Sequence, residues 1–185
     1  MTLPHGGAGC GWSDNATALL PPPLTTKDDP MPDTTPEQRL KQLGIVLPTP
    51  AVPVANYVAA VISGSSLVVS GQLPLVDGKL LTTGKLGDSV AVELAIEAAR
   101  YSMVNVIAQV KAAIGDLSRV KRVVRLGGFI ACTPDFTQHA AVMNGASDLA
   151  VAVFGDAGRH ARSTVGVPSL PLDSAVEVEG LFEIG

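Results

Sequence analysis

Arg162 stands at the head of an apolar, β-branched run, and the chain soon returns carrying Glu177, Glu179 and Glu183. Only 16% of the residues are charged, so a guanidinium and three carboxylates inside the most strand-like segment need an account, because a charge taken out of water must be paired. On a pleated strand alternate residues share a face. Arg162, Thr164 and Gly166 therefore point one way and Ser163, Val165 and Val167 the other; Glu177, Glu179 and Glu183 lie opposite Val176, Val178, Phe182 and Ile184. An antiparallel return through residues 168–173 would bring Arg162 and a glutamate onto one surface. Three arrangements fit: a guanidinium fork for a small carboxylate with an acid/base group beside it, a structural ion pair, or a solvated sheet face.

Other chemistries find little support. His5, His139 and His160 show no metal-ligand spacing with Cys, Asp or Glu, so no metal site is expected and His160 reads as a surface residue. There is no P-loop, no G-x-S-x-G elbow and no zinc-deaminase signature, and the "GGAGCG" run lacks dinucleotide-binding spacing. Cys10 and Cys132 stand far apart without a C-x-x-C, as reduced thiols of a cytoplasmic protein would. The N-terminal stretch "ATALLPPPL" is broken by three prolines and carries no Lys or Arg before Lys27, so neither a secretory signal nor a membrane span is expected. A net charge of -4 and a pI near 5.3 disfavour nucleic acid as a partner. Strand alternation would also split the basic cluster Lys121, Arg122 and Arg125 between two faces, in a solvated or subunit-contact role.

The elements that must position these groups follow from periodicity. Residues 1–36 mix Gly, Pro, Ser and Thr without pattern and read as a disordered or extraneous tail, with Met31 as an alternative start; residues 37–185 read as one domain. Thr35 as N-cap, Pro36 at N1 and Gly44 as terminator predict a short helix. Two β-branched runs, 57–62 and 66–70, joined by Gly-Ser-Ser predict a hairpin, with a smaller turn at "VDGK". Residues 88–114 carry Val92, Ile96, Ala99, Met103, Val106, Val110 and Ile114 at helical steps. "RVKRVVRLGGFIACT" predicts a long strand, "DFTQHAAVMNGASDLAVAVFG" a second helix with an Asn-Gly interruption that a bend or a special contact would explain, and 162–167 and 175–184 the closing strands. The order β-β-α-β-α-β-β suggests an α+β fold, about six strands with both helices on one face. With 46% hydrophobic residues, the other face is expected to be covered by copies of the same chain.

"NYVAAVISGSSLVVSGQLP", "NGASDLAVAVFG" and "ARSTVGVPSLPLDSAVEVEG" together resemble the RidA/YjgF family, also called endoribonuclease L-PSP, in its branch of longer chains. The resemblance implies a chorismate-mutase-like fold, a six-stranded mixed sheet with two helices on one face, assembled as a homotrimer with clefts between subunits. It implies that Arg162 clamps the carboxylate of a 2-imino acid, that Glu177 holds the attacking water, and that Tyr57 and Asn144 line the cleft. Thr164 stands where the family often has cysteine. "VANY" replaces the usual "IGPY", and extra residues separate "TPDF" from "NGASD"; both changes alter the mouth of the cleft. The implied activity is hydrolysis of small 2-imino or 2-enamino acids to 2-oxo acids and ammonia, without metal or organic cofactor. The alternatives are a non-catalytic ligand-binding or chaperone-like trimer and an endoribonuclease, the latter disfavoured by the acidic balance.

Overall fold

A computed structural model describes residues 34–50 and 56–185. The expected tail lies outside them except at its end, where Thr34, Thr35 and Pro36 already belong to the first helix and its cap. That helix, α1, spans Pro36–Gln42. Thr35 Oγ1 accepts the Gln38 amide while Gln38 returns its side chain to the Thr35 amide, a complete capping box. Gly44, at φ 68°, takes the left-handed geometry that ends it.

Strand β1 (Ala60–Ser63) and strand β2 (Ser66–Gln72) form the expected hairpin. Its turn is Gly64-Ser65, with only the first residue at positive φ, as in a II′ turn. Asp77 and Gly78, both at positive φ, join β3 (Leu75–Val76) to β4 (Lys79–Leu80) in a I′ pattern. Helix α2 runs Val92–Ile114, β5 Val120–Ala131, α3 His139–Phe154, β6 Ala161–Val167 and β7 Val176–Ile184.

The main sheet has five strands in the order β1-β2-β7-β5-β6, rather than the six expected. The β3–β4 hairpin forms a two-stranded sheet of its own. Asn105 of α2 donates to the carbonyls of Leu73 and Leu75 (2.8 and 3.1 Å), so the backbone that could extend the sheet is tied to the helix instead. The sheet is mixed: β5 pairs in parallel with β6, through the α3 crossover, and antiparallel with β7. Strand β5 thus lies between β6 and β7, and the expected direct return of β6 onto β7 does not occur.

Helices α2 and α3 cover one face. Leu67, Val69, Val123, Leu126, Ile130, Val176, Val178 and Phe182 point into them and are buried. Burial of α2 is wider than a stripe, reaching Ser102, Val104 and Gln109, because α3 and the β3–β4 segment flank it as well as the sheet. The Asn-Gly pair does not break α3, which is continuous over His139–Phe154. Of the bend or special contact that would explain the pair, the structure has the contact: Gly145 is where α3 crosses α2, so close that a Cβ there would collide with the carbonyl oxygen of Ile96.

The helix-free face carries Val61, Val68 and Val165, each about half exposed at 50%, 48% and 48%. Among the described residues no helix is long and apolar enough to cross a membrane.

Gly145→Ala should cost about 2–3 kcal/mol, the upper part of the range for overpacking, because the obstacle is helix backbone and not a mobile side chain. A lower urea midpoint at unchanged slope would report it; an unchanged midpoint would show that the helices separate freely.

Candidate functional site

Arg162 is the second residue of edge strand β6, and its register partner in β5, Leu126, is fully buried beneath the helices. Residues level with each other in a parallel pair share a face, so the Arg162 side chain lies on the helix side and reaches α3. Its Nη1 donates to Asn144 Oδ1 (2.9 Å) and Ser147 Oγ (3.0 Å), and its Nη2 to the Ala140 carbonyl (3.3 Å). Those acceptors sit on successive turns of α3, the spacing that places 140, 144 and 147 on one helix face. All three are uncharged, and among the described residues Arg162 forms no ion pair. A guanidinium has five N–H donors. Three are engaged, leaving Nε–H and one Nη2–H, the number a bidentate carboxylate takes.

Thr164 shares this face. Its hydroxyl oxygen is buried and has no hydrogen-bond partner among the described residues. Buried hydroxyls are rarely left so.

Glu177 lies elsewhere. On β7 it is level with Phe129 of β5 and projects from the helix-free face, so Arg162 and Glu177 are on opposite sides of the sheet with β5 between their strands. The ion pair weighed from sequence does not form. Glu177 sits over Gly71 of β2, where a register shift between Val69 and Gln72 bends the strand and a Cβ would overlap the carboxylate. The "SGQ" triplet therefore makes room for an acid. Glu177 is half-buried and accepts no hydrogen bond among the described residues. Burial, then the neighbouring Glu179, push its carboxyl above the ordinary range.

Tyr57 is 54% exposed and precedes β1, at the edge of the sheet opposite β6. One chain therefore brings together Arg162, Asn144 and Thr164 and holds Glu177 and Tyr57 apart from them.

The basic cluster also departs from expectation. Two register shifts in β5, between Val120 and Arg122 and between Val123 and Arg125, each insert a residue. Burial then recurs every third position, at Val120, Val123 and Leu126, and Lys121, Arg122 and Arg125 are all exposed. Acids on β7 offset them: Arg125 pairs with Glu179 (3.4 Å), and Arg122 is level with Glu183.

Two residues passed over in the sequence belong to the Arg162 surroundings. Ser147 receives the guanidinium, and His160, read as a surface residue, is partly buried with Nε2 3.1 Å from Ser147 Oγ and Nδ1 2.6 Å from the Gly158 carbonyl. Their spacing carried the signal, since Ser147 lies on the helix face of Asn144 and His160 on the strand face of Arg162.

A further cavity, of about 620 Å³, is lined by Lys85, Cys132, Phe136, His139 and Gly166. Cys132 Sγ is 3.4 Å from His139 Nε2. No group of three or more possible metal ligands occurs among the described residues.

The raised Glu177 carboxyl makes a signed prediction. Between the ordinary glutamate value and the raised one, the native state holds a proton that the unfolded state has released, so stability falls as pH rises through that window. Glu177→Gln should melt like the parent at pH low enough to protonate both states. It should melt higher at neutral pH, with the gain developing just above the ordinary glutamate value. Melting curves from pH 4 to 8 test this, and a gain that instead grew toward acid would contradict it.

The likenesses to known proteins agree with this architecture. Residues 37–184 match the family described as "YjgF/chorismate_mutase-like, putative endoribonuclease". The chain is 51% identical over 146 residues to Protein TCP17 of Trypanosoma cruzi, covering 78% of this chain and 91% of that one. Among solved structures it is similar to Atu1372 of Agrobacterium tumefaciens, with TM-score 0.77 and 49% identity over 81% of this chain and 92% of that one. It is also similar to E. coli TdcF with bound serine, with TM-score 0.55 and 26% identity over 74% and 94%. With the mixed sheet, the paired helices and a family model spanning nearly all the described residues, the chain belongs to the YjgF/RidA family.

Proposed function

We propose that the protein hydrolyses small 2-imino acids to 2-oxo acids and ammonia, in clefts between the subunits of a homotrimer. The observation that carries this reading is the state of Arg162: a guanidinium ordered by three uncharged acceptors, with two donors over and no carboxylate partner among the described residues. Such a fork is preorganised for a carboxylate from outside, and little side-chain freedom remains to be lost on binding. TdcF was solved with serine bound, a small molecule bearing the same kind of carboxylate, which supports the class of ligand.

The chemistry asks little more of the protein. With the carboxylate held by Nε–H and Nη2–H, the C=N carbon is fixed. Water adds to that carbon, a proton passes to nitrogen, and the resulting carbinolamine expels ammonia as its O–H proton leaves and the C=O bond forms. Orientation of this kind is worth up to ~7–11 kcal/mol. A glutamate with an elevated pKa suits the transfer of protons to and from that water, the role assigned to Glu177; Thr164 keeps a place beside Arg162 on the same strand face, with its hydroxyl buried. Because Glu177 and Tyr57 lie apart from Arg162 in one chain, this reading requires a neighbouring subunit to bring them to the cleft. The half-exposed valines of the helix-free face are the apolar surface such packing would cover.

Light scattering should return three times the chain mass; a monomer at micromolar concentration would count against the cleft. Ammonia and 2-oxobutanoate release should then be followed from 2-iminobutanoate made in situ by a dehydratase. Arg162→Ala and Arg162→Lys should each lose roughly 100-fold in rate, the size expected when two charge-assisted hydrogen bonds go and a point charge cannot replace the fork. Melting temperatures should stay near the parent's. Full activity in both variants, on a substrate the parent turns over, would sink the proposal.

A further inference from the structure

Arg162 does not orient itself. Of the three groups that hold it, the Ala140 carbonyl is helix backbone and the Asn144 amide oxygen can only accept, but the Ser147 hydroxyl can both donate and accept. A serine inside a helix often turns its proton onto the preceding turn's carbonyl. Here a partner stands ready: His160 Nε2, 3.1 Å from Ser147 Oγ.

The direction of that bond can be read from the other side of the ring. His160 Nδ1 is 2.6 Å from the Gly158 carbonyl oxygen, which can only accept, so Nδ1 carries a proton. In the neutral ring Nε2 is then a bare acceptor and Ser147 must donate to it. With its proton committed to the imidazole, Ser147 Oγ offers its lone pairs to Arg162 Nη1 at 3.0 Å. The chain of bonds has one polarity throughout. Gly158 anchors its far end, packed so tightly on α3 that a Cβ would collide with the backbone of Ala150. No carboxylate pairs with the ring among the described residues, and Asp156, in the same turn as Gly158, is bonded to Arg159 (3.2 Å).

We infer that Ser147 and His160 are positioning residues for Arg162: the Gly158 carbonyl fixes the imidazole, the imidazole fixes the Ser147 proton, and the Ser147 lone pair holds Nη1 on α3 so that Nε–H and the remaining Nη2–H face a ligand carboxylate. The inference rests on the reading of Arg162 as a carboxylate anchor, and it adds two residues that touch no substrate. Loss of either lets the guanidinium rotate while its charge stays, so the effect falls on affinity for the carboxylate and not on the fold.

The test uses the full-length protein and 2-oxobutanoate, the product carboxylate, with affinity read by calorimetry and fold by melting temperature and light scattering. Ser147→Ala and His160→Phe should each weaken binding roughly 10-fold, the size of one hydrogen bond to a charged group. Ser147→Thr, which keeps the hydroxyl, should stay within about 3-fold of the parent by the same reasoning. In an Arg162→Ala background, Ser147→Ala should have no further effect, since the coupling is to that guanidinium alone. If Ser147→Ala and His160→Phe bind as the parent does while Arg162→Ala does not, the relay is overturned and the Arg162 reading stands. A Ser147→Ala effect that persists without Arg162 also overturns the relay. If the parent binds no 2-oxobutanoate, or Arg162→Ala binds it unchanged, the anchor reading falls and the relay with it.

Discussion

The contact on which the site depends is one of backbone against backbone: α3 pressed onto α2 where Gly145 meets the Ile96 carbonyl. A helix held there presents Ala140, Asn144 and Ser147 to the edge of the sheet at a height set by that contact. The same helix is held from its other end by Gly158, against Ala150. A displacement of α3 by one methyl radius would open the 2.9–3.3 Å bonds to Arg162. The arginine is only as well placed as two glycines allow.

The sheet separates two kinds of charge. On the helix side, the site charge of β6 is a lone guanidinium among neutral acceptors; on the open side, acids of β7 face bases of β5, and Glu177 nests over Gly71. Neither side buries a full charge, since Arg162 is exposed and hydrogen-bonded to neutral groups and most acids of the open side face bases, but the two arrangements leave different things unsatisfied. The first leaves donors available, and the second leaves a carboxyl that resists ionising. In the hydrolysis proposed above they would serve as carboxylate anchor and proton carrier, and the sheet keeps them from neutralising each other.

Much of this was legible in the residues. The N-cap, N1 proline and terminating glycine of α1, the Gly-Ser hairpin, both long helices and the sorting of β7 are local patterns, and local patterns survive into the structure. Pairing order is not local: nothing between Arg162 and Glu177 says that β5 will lie between them, because that choice is made by the crossover through α3. The β5 bulges are an intermediate case. The run Val120, Val123, Leu126 repeats every third residue, a period belonging to neither strand nor helix, and it is the mark of a strand with two inserted residues. His160 reads as a surface residue from sequence because a histidine's partners come from tertiary structure, here a glycine carbonyl and a helix serine. The Asn-Gly pair shows in the sequence only that a bend or a special contact is needed, since glycine inside a helix usually weakens it; that it is a contact, the close approach of α2, is decided by tertiary packing.

That Asn-Gly pair has a bearing on how the protein ages. In a flexible chain, asparagine before glycine is open to attack by the following backbone nitrogen on its own side-chain carbon, since glycine has no Cβ to hinder ring closure; ammonia leaves, and hydrolysis yields aspartate or its isomer. Within α3 the Gly145 amide is committed to a helical hydrogen bond and its Cα is pinned against α2, so the geometry for ring closure is denied. Were the reaction to occur, the aspartate product would set a carboxylate against Arg162 where a neutral amide now sits at 2.9 Å, and the guanidinium would be occupied by its own chain. The packing that positions the arginine thus also guards its donors against slow occupation by a carboxylate of its own helix.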